Sequence, residues 1–424
     1  MAHSRYGTLP WQQVVAPAIA LARDGFTLSF EHVRIFDQGR ERLENSKAAA
    51  AAFRRPDGSP YRPGDTLRQP DLARTLSAIA ERGADGFYTG PIAALFASDM
   101  QRNGGLITAA DLAGYRAIER PALAGTYRGH TVFSAPPASS GGTALIGMLN
   151  LLEQFDVARL SAGSAAQIHL LSEVMKHGHL DRRTFLGDTD FVRAPVRGLI
   201  SKEYARERAK AISLRRSVRP SDYGPGDPWK FEGPDTTHLS VADASGNAVS
   251  NTYTIGTDFG SGVMIEGAGF LLNNQMNNFS SKATATAIRE GRPLPPNSLA
   301  PGKRMLSSMT PTIVMKDDKP WLIVGTPGGS TIINTVLQVI VNVVDHAMNV
   351  AEAGQRPRIY QGGTSELALE SGISEDSAAI LKRMGHRVTR STAVIGSSQS
   401  ILIEGKLFSG AADTRRPDAA AIAP

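Results

Sequence analysis

Residues 233–241 read Gly-Pro-Asp-Thr-Thr-His-Leu-Ser-Val, a turn-forming tripeptide followed by the alternating pattern of a β-strand. This order places Thr236 at the head of a predicted strand, directly after Asp235. Cleavage of the peptide bond between them would give Thr236 a free α-amine beside its hydroxyl, so that one residue would hold both a base and a nucleophile. The stretch is therefore typical of an amidase that first cuts its own chain.

A predicted hairpin brings a second threonine to the same place. Residues 243–247, Asp-Ala-Ser-Gly-Asn, are rich in turn formers and lie between alternating runs at 237–242 and 248–255. If the turn is centred on Ser245, the pairing is symmetric about that residue and Thr254 falls opposite Thr236. A slip of one residue would break this register. Because threonine is also an ordinary strand former, the pair indicates either a catalytic site or plain sheet decoration.

Bulk composition excludes several classes of protein. The 424 residues, 41% of them hydrophobic, suffice for one large layered domain or for two to three average ones. The absence of cysteine removes disulfides, thiol nucleophiles and cysteine zinc sites. The 46 basic and 40 acidic side chains are spread along the chain, which argues against a nucleic-acid arm. The sequence shows neither a membrane-spanning apolar run nor a signal peptide at its start, so the cellular compartment stays open.

The periodicity of apolar residues divides the chain near residue 235. Before that point the spacing predicts helices at 11–24, 71–81, 91–100, 142–155 and 164–179. Residues 214–232 have the proline, glycine and charge content of a linker. After it the pattern predicts strands at 237–242, 248–255, 311–315, 321–324, 387–392 and 397–403, and a long apolar helix at 331–348.

A glycine-rich segment follows one of these strands. Residues 325–330, Gly-Thr-Pro-Gly-Gly-Ser, open the helix predicted from Thr331, so their amides point out of a helix N-terminus, where negative charge is stabilised. That geometry suits an oxyanion hole. The alternatives are a plain glycine turn or a phosphate loop, although the Gly-Lys-Ser/Thr ending of such a loop is absent.

Two polar motifs complete the set. Residues 273–278, Asn-Asn-Gln-Met-Asn-Asn, hold five amide side chains, which are costly to bury unless they bind something or each other. The alternative is a solvated loop. Residues 306–311, Leu-Ser-Ser-Met-Thr-Pro, place adjacent hydroxyls before another strand, a weak signal by itself.

Taken together, these residues resemble the gamma-glutamyltransferase family of N-terminal nucleophile hydrolases. In the second half the similarity rests on residues 236–238, 247–249, 252–254, 272–276, 303–304, 306–309 and 325–330. In the first half it rests on residues 5–10, 64–65, 69–73, 87–90, 104–107, 111–112, 139–142, 181–182 and 187–188. The resemblance covers nearly the whole chain.

The resemblance implies a fold and an assembly. The fold is α+β, a four-layer αββα sandwich. The chain would be cleaved between Asp235 and Thr236 into a mainly helical large-subunit part at 1–235 and a small subunit at 236–424. The two pieces would stay packed together as one domain.

The resemblance also implies a role for each site residue. Thr236 would be the nucleophile and its new α-amine the general base, since such an amine titrates near about 8. The other implied roles are orientation of Thr236 by Thr254, an oxyanion hole at Gly328 and Gly329, a contact to the substrate α-amino group from Gln275 and Asn278, and one to its α-carboxylate from Ser307 and Ser308. The substrate would be a gamma-glutamyl amide, and the acyl group would pass to water or an amine acceptor without a metal or organic cofactor.

Two positions depart from the family pattern around the substrate. Asn278 stands where glutathione-handling members have an Asp that pairs with the substrate ammonium, and a neutral contact is weaker by about 1 kcal/mol. Gly256 stands in place of the usual Asn, which removes another contact. Relatives with Asn at the position of 278 resemble cephalosporin acylases, so a glutaryl-amide acylase with weak transpeptidation is the first alternative.

The start of the chain is the third departure. It resembles the middle of the large subunit, so that the arginine that clamps the α-carboxylate and part of one helical layer are expected to be missing. An inactive truncated homologue with a binding or assembly role is therefore the second alternative. The family resemblance suggests a periplasmic or secreted protein, or a cytoplasmic one if the short form is genuine.

Several conspicuous side chains favour structural roles. His169, His177 and His179 lie in a predicted helix at a spacing that matches no zinc pattern. Asp181, Arg182 and Arg183 are expected to form an ion-pair network at the end of that helix.

Overall fold

The structure is a computed structural model that describes residues 1–224 and 240–423. Contacts divide it into two compact units. The first unit comprises Met1–Glu119 and Ile255–Gln275, and the second comprises Arg120–Thr254 and Met276–Pro424. Each unit therefore contains chain from both sides of the predicted cleavage point.

Seventeen α-helices are found in the described residues. They are α1 Ala2–Tyr6, α2 Trp11–Asp24, α3 Phe30–Leu43, α4 Lys47–Ala52, α5 Pro70–Arg82, α6 Asp85–Tyr88, α7 Gly90–Arg102, α8 Ala109–Gly114, α9 Gly141–Leu152, α10 Ala165–Phe185, α11 Val196–Leu199, α12 Lys202–Ala209, α13 Pro220–Tyr223, α14 Ser281–Arg289, α15 Thr331–Val344, α16 Val350–Gln355 and α17 Glu375–Arg383. Short 3-10 helices occur at Val157–Arg159 and Gln275–Asn278. Among the described helices, none has the length and apolar character needed to cross a membrane.

The same part of the chain forms thirteen strands. They are β1 Phe26–Thr27, β2 Thr66–Leu67, β3 Leu123–Tyr127, β4 His130–Ser134, β5 Ser240–Ala242, β6 Ala248–Ser250, β7 Thr312–Lys316, β8 Lys319–Gly325, β9 Ile359–Tyr360, β10 Glu366–Leu369, β11 Arg387–Arg390, β12 Gln399–Glu404 and β13 Leu407–Ala412. All six predicted helices are present, and each of the six predicted strands has a counterpart in the described residues, most of these elements within a few residues of their predicted ends.

A six-stranded antiparallel sheet organises the second unit. Its strand order is β13-β12-β8-β7-β4-β3. The pairing of β4 with β7 joins Phe133 to Ile313 and Ser134 to Thr312, so strands from before and after residue 235 share one hydrogen-bonded ladder.

Helices cover one face of this sheet. α9 packs on β3 and β4, α15 packs on β8, and α10 packs on α9. Residues 332–343 of α15 are all buried, as expected for a helix that is apolar around most of its circumference. Together these elements form one continuous apolar core.

The predicted hairpin lies on the opposite face of the sheet. β5 contacts β8 and β12, while β6 contacts β7 and β8. The pairs Ser240–Ser250, Val241–Val249 and Ala242–Ala248 are all symmetric about residue 245, which confirms the predicted register in its described part. The second unit is thus layered as helices, sheet and hairpin.

The first unit is mainly helical and has smaller cores. α2 packs against α5, and α6 against α5 and α7. Residues 255–275 complete this unit, because Ile265 and Ala268 join one apolar cluster and Met264 joins another. The Thr75 hydroxyl also donates to Ala268 O at 2.7 Å.

Candidate active site

The predicted nucleophile Thr236 and its neighbour Asp235 lie outside the described residues. The described chain ends at Gly224 and resumes at Ser240, four residues after Thr236. The position of this site is therefore described from the contacts of Ser240, the first described residue after Thr236.

The hairpin β5–β6 lies over the ends of three strands of the large sheet. Ser240 Oγ donates to Gln399 O at 3.3 Å, and Ser250 Oγ donates to Thr312 O at 3.2 Å. Gln399 in turn pairs with Gly325, the last residue of β8. The first residue of β5, four positions after Thr236 in the sequence, is thereby set beside the start of the glycine-rich turn.

Thr254 lies on the side of the chain that faces inward. Burial alternates after β6, with Thr252 buried, Tyr253 exposed and Thr254 half-buried. Side chains two apart share a face in an extended chain, so Thr254 has the same orientation as Ser250. Its pairing with Thr236 stays a prediction, because that residue lies outside the described chain.

The glycine turn has the geometry of an anion site. Gly328 and Gly329 adopt φ values of +135° and +58°, which L side chains rarely adopt. Both residues are exposed and precede α15, a helix of 14 residues. Neither backbone N–H donates a hydrogen bond to residues 1–224 or 240–423. Two free amides at a helix N-terminus are suited to hold a developing oxyanion.

Neighbouring side chains fix this turn. Thr326 Oγ1 accepts from the amide of Ser397 at 2.7 Å and donates to Pro327 O at 2.7 Å. On the other side of the turn, the Tyr360 hydroxyl donates to Ser330 Oγ at 2.8 Å. The turn is held at both ends, so its amides need no reorganisation to receive charge.

Ser307 and Ser308 lie in a segment that pairs with the start of α9. Ser307 O accepts from the amide of Ser140 at 2.9 Å and from its hydroxyl at 2.6 Å. Ser307 is buried, whereas Ser308 is half-buried. Ser308 is therefore the more accessible of the two residues.

Arg182 contacts a predicted site residue, although the sequence analysis did not place it in the site. Its Nη2 donates to Ser308 Oγ at 2.9 Å and its Nε to Ser140 Oγ at 2.5 Å. With the Ser308 oxygen accepting from a guanidinium, the Ser308 hydroxyl proton can be donated to a ligand. The hydrogen bond between Arg182 and Ser308 could not be predicted from the sequence, because the two residues are far apart in the chain.

The predicted ion-pair network around Arg182 is only partly present. Asp181 pairs with Arg208, at 3.7 Å between Oδ1 and Nη2. Arg183 instead donates to the carbonyls of Gly362 and Gly363.

The remaining substrate contacts predicted from the sequence are Gln275, Gly256 and Asn278. Gln275 and Gly256 belong to the first unit, and Asn278 to the second. Gln275 is buried, and its backbone N–H donates to Asn273 Oδ1 at 2.9 Å. Asn278 is exposed, and its carbonyl accepts from Asn297 Nδ2 at 2.7 Å.

The local structure explains why position 256 is a glycine. Its φ is +101°, and a Cβ there would lie 1.8 Å from Asn274 Oδ1. That oxygen accepts from the amide of Thr257 at 3.1 Å. The space that a side chain at 256 would need is therefore occupied by Asn274.

The three histidines of α10, for which the sequence favours structural roles, are all buried. His179 bonds Asn334 Oδ1 at 2.7 Å, and burial lowers its pKa to about 3. His169 lies 2.7 Å from His386 through ring nitrogens, with Glu173 nearby. Lys176 Nζ lies 2.6 Å from Glu173 Oε1, so the carboxylate of this group already has an ammonium partner.

Comparison with known proteins shows the family to which the chain belongs. The sequence model of the family described as gamma-glutamyltranspeptidase matches residues 1–423. A glutathione hydrolase proenzyme of Escherichia coli K12 is 44% identical over 424 residues, which are 99% of this chain and 72% of the relative. An acylase ACY 1 proenzyme of Pseudomonas sp. strain SE83 is 40% identical over 400 residues, covering 94% of this chain and 68% of the relative.

Solved structures are similar as well. The cephalosporin acylase from Bacillus halodurans superposes with a TM-score of 0.87 at 27% identity, over 99% of this chain and 75% of that one. The Helicobacter pylori gamma-glutamyltranspeptidase is 38% identical with a TM-score of 0.52, over 53% of this chain and 64% of that one. The mixed packing of helices and sheets, with these neighbours, confirms the α+β class of the N-terminal nucleophile hydrolases.

Proposed function

Because the chain belongs to the gamma-glutamyltranspeptidase family, we propose that it is a self-cleaving threonine amidohydrolase and acyltransferase that acts on gamma-glutamyl amides such as glutathione. The observation that carries the proposal is the glycine turn. Gly328 and Gly329 present two amides at a helix N-terminus, beside the hairpin whose first strand follows Thr236.

In the proposed reaction the bond before Thr236 is cut first. The released α-amine then takes the proton of the Thr236 hydroxyl as its oxygen attacks the amide carbonyl of the substrate. The amides of Gly328 and Gly329 hold the resulting oxyanion, and Thr254 orients the nucleophile. As the intermediate collapses, the protonated α-amine returns its proton to the leaving nitrogen, so that a neutral amine departs and an acyl-enzyme remains, which water or an acceptor amine then attacks.

The two ends of the substrate are assigned to different groups. Gln275 and Asn278 are proposed to contact its α-amino group. Ser307 and Ser308 are proposed to contact the α-carboxylate, and Arg182 supports Ser308 through its 2.9 Å hydrogen bond. A guanidinium there also favours a negatively charged ligand over a neutral one.

Cleavage is not expected to separate the pieces. The ladder between β4 and β7 and the cluster around Ile265 each join chain from before and after residue 235. Release of either piece would break a sheet in one unit and a core in the other.

Mass spectrometry of the purified chain tests the self-cleavage. We expect two products that correspond to residues 1–235 and 236–424, with a free amine on Thr236. Thr236→Ala is expected to leave the chain intact and inactive, whereas Thr237→Ala should still be cleaved. Wild-type protein that stays intact after long incubation would instead support the inactive homologue with a binding or assembly role.

A glutaryl-amide acylase is the second candidate, and Asn278 favours it. A neutral amide cannot form an ion pair with an α-ammonium, so acyl groups that lack this amine lose less at such a site. The similarity to the Bacillus halodurans cephalosporin acylase supports the same direction.

Paired anilide substrates distinguish the two candidates. If the protein is a glutaryl-amide acylase, its cleaved form hydrolyses glutaryl anilide faster than gamma-glutamyl anilide. Asn278→Asp then moves the preference toward the gamma-glutamyl compound. Faster turnover of the gamma-glutamyl anilide by the wild type would exclude the acylase.

A further inference from the structure

A buried asparagine of the second unit connects the two segments to which the ends of the substrate are assigned. Residues 278–280, here called the amine-end segment, begin with Asn278, and residues 304–308, here called the carboxylate-end segment, end with the two serines. Asn297 lies in the irregular chain between α14 and β7 and is 6% exposed. Its Nδ2 donates to Asn278 O at 2.7 Å, and its Oδ1 accepts from the backbone N–H of Leu306 at 2.9 Å. One side-chain amide therefore links both segments.

The amine-end segment is bound to Asn297 at more than one point. Besides its bond to Asn278 O, Nδ2 of Asn297 donates to Ser280 Oγ at 3.3 Å. The Asn297 carbonyl also accepts from the backbone N–H of Ser280 at 2.9 Å. Phe279, between these two contacts, is buried. The position of this segment therefore follows the position of Asn297.

The carboxylate-end segment is fixed to the second unit on both sides of its bond to Asn297. The backbone N–H of Arg304 donates to Asp188 Oδ2 at 2.8 Å, and Asp188 is fully buried. The backbone N–H of Ser307 donates to Ala138 O at 3.0 Å. This segment is therefore a fixed reference, and Asn297 holds the amine-end segment at a set distance from it.

The partners of Asn297 determine the orientation of its amide. Nδ2 can donate to the carbonyl of Asn278, and Oδ1 can accept from the N–H of Leu306. A rotation of the amide by 180° would place acceptor against acceptor and donor against donor, which is unfavourable for buried groups. Aspartate has the same shape as asparagine but lacks the donor. It could therefore keep the bond to Leu306 and would lose the bond to Asn278.

We propose that Asn297 is a positioning residue that sets the distance between the groups that bind the α-amine and the α-carboxylate of the substrate. The proposal rests on the proposed function, which assigns Asn278 and the serine pair to these two ends. A substrate with both ends gains from a fixed spacing, because binding of one end then places the other without a further loss of freedom. A substrate with only one of the ends gains nothing from it. Asn297 thus favours acyl groups that have both an α-amine and an α-carboxylate.

Four acyl anilides test the spacing on the cleaved protein. The gamma-glutamyl group has both ends, the glutaryl group only the carboxylate, the 4-aminobutyryl group only the amine, and the butyryl group neither. Because the two ends act together, we expect kcat/KM of the wild type for the gamma-glutamyl anilide to exceed the product of the separate effects of amine and carboxylate by about fivefold. In Asn297→Asp this excess should disappear.

Asn342→Asp is the matched control. Asn342 is 8% exposed, and its Nδ2 donates to Ala353 O at 3.2 Å, a bond between α15 and α16. The control should lower the melting temperature as Asn297→Asp does, because both variants set a carboxylate against a carbonyl oxygen, but it should keep the fivefold excess. Asn297→Ala and Asn342→Ala form a second pair that buries no charge, and the same difference is expected between them.

The pattern over the four anilides separates this role from simpler ones. If Asn297→Asp lowers kcat/KM for all four by the same factor, Asn297 only supports the fold and the proposal is wrong. If it lowers the values for the two amine-bearing anilides by one common factor and leaves the others unchanged, Asn297 acts on Asn278 alone and sets no spacing.

The wild type distinguishes failure of this inference from failure of the proposed function. Hydrolysis of the anilides without an excess for the gamma-glutamyl compound would show that the two ends are bound independently. The inference would then be wrong, and the proposed amidohydrolase would stand. If the wild type hydrolyses none of the four anilides, the proposed function is refuted, and the inference with it.

Discussion

The two units differ most in how much apolar surface each has buried. The second unit has one continuous core that includes α9, α10, α15 and the large sheet. The first unit has two small clusters, around Phe96 with Ile265 and around Leu43 with Met264, and leaves large side chains such as Tyr6, Phe30 and Leu106 exposed. Stability is not uniform across a structure with such a division. We therefore expect the second unit to be the more stable of the two, because the apolar clusters of the first depend on a few contacts from residues 255–275.

The largest expected effect comes from removing one isoleucine from each core. Ile340 in α15 and Ile265 in the first unit are both fully buried. Ile→Ala in a core costs about 2–5 kcal/mol, and the cost is higher where the surroundings cannot relax into the cavity. We expect Ile340→Ala near the upper end of this range and Ile265→Ala near the lower end.

Hydrogen exchange followed by mass spectrometry can localise the two losses. Ile340→Ala should reduce protection throughout α9, α10 and α15, whereas Ile265→Ala should affect only the first unit. If the two variants lose the same free energy of unfolding, or if either variant loses protection in both units, the expected difference in stability between the units is wrong.

The next largest effect is expected from a fall in pH, which should destabilise the second unit more than the first. Burial lowers the pKa of His177, His179 and His386 in the second unit to about 3, with neighbouring positive charges acting in the same direction. These charges are Arg208 and Lys176 at His177, Arg182 and Arg183 at His179, and Lys176 and His169 at His386. Their folded pKa lies below the unfolded value of about 6.5, so the stability they contribute is present above pH 6.5 and is lost as the pH falls toward 3.

At pH 4.5 each of these histidines therefore destabilises the second unit by up to about 2–3 kcal/mol. Asp181 acts in the opposite sense, since burial raises its pKa to about 6, and it offsets part of the loss. We expect exchange in α10 to accelerate between pH 7 and pH 4.5, after correction for intrinsic rates, more than exchange in α5. His179→Gln, which can still bond Asn334 without titrating, should flatten this dependence. Identical profiles for variant and wild type would show that His179 does not titrate in this range.

A glycine in residues 255–275 tests the weaker unit directly. Gly256 and Gly64 both lie in the first unit with φ values of +101° and +92°, but a Cβ would meet Asn274 at the first and open space at the second. Gly64→Ala should cost about 1 kcal/mol for backbone strain alone, and Gly256→Ala about 2–3 kcal/mol because the clash is added. Limited proteolysis of residues 255–275 measures the difference. Similar cleavage rates for the two variants would mean that Asn274 moves aside freely.

Features with a local signal in the sequence were predicted correctly, whereas contacts between distant residues were not. The glycine turn and the 240–250 hairpin were predictable because their signals lie within a few residues. The hairpin of β3 and β4 was missed because its two-residue turn, with φ values of +49° and +83°, uses Arg128 and Gly129 rather than the usual Asn-Gly. The bond from Arg182 to Ser308 joins residues 126 apart in the chain, and no local pattern reports such a contact.

The smallest expected effect concerns Arg182, which lies in α10 of the second unit. Arg182→Lys keeps the charge but cannot bond Ser140 and Ser308 at once, because an ammonium lacks the planar fork of a guanidinium. We expect KM for a substrate with an α-carboxylate to rise about fivefold, equivalent to about 1 kcal/mol, with little change in kcat and in melting temperature.

Arg183→Lys is the matched control, since Arg183 occupies the next position of α10 and donates to the carbonyls of Gly362 and Gly363. It should leave KM unchanged. A substrate analogue without the α-carboxylate should also show no rise in KM with Arg182→Lys, because the lost support for Ser308 matters only where Ser308 has a carboxylate to bind. If both substrates weaken equally, Arg182 acts on the general packing of α10 and has no part in selecting the substrate.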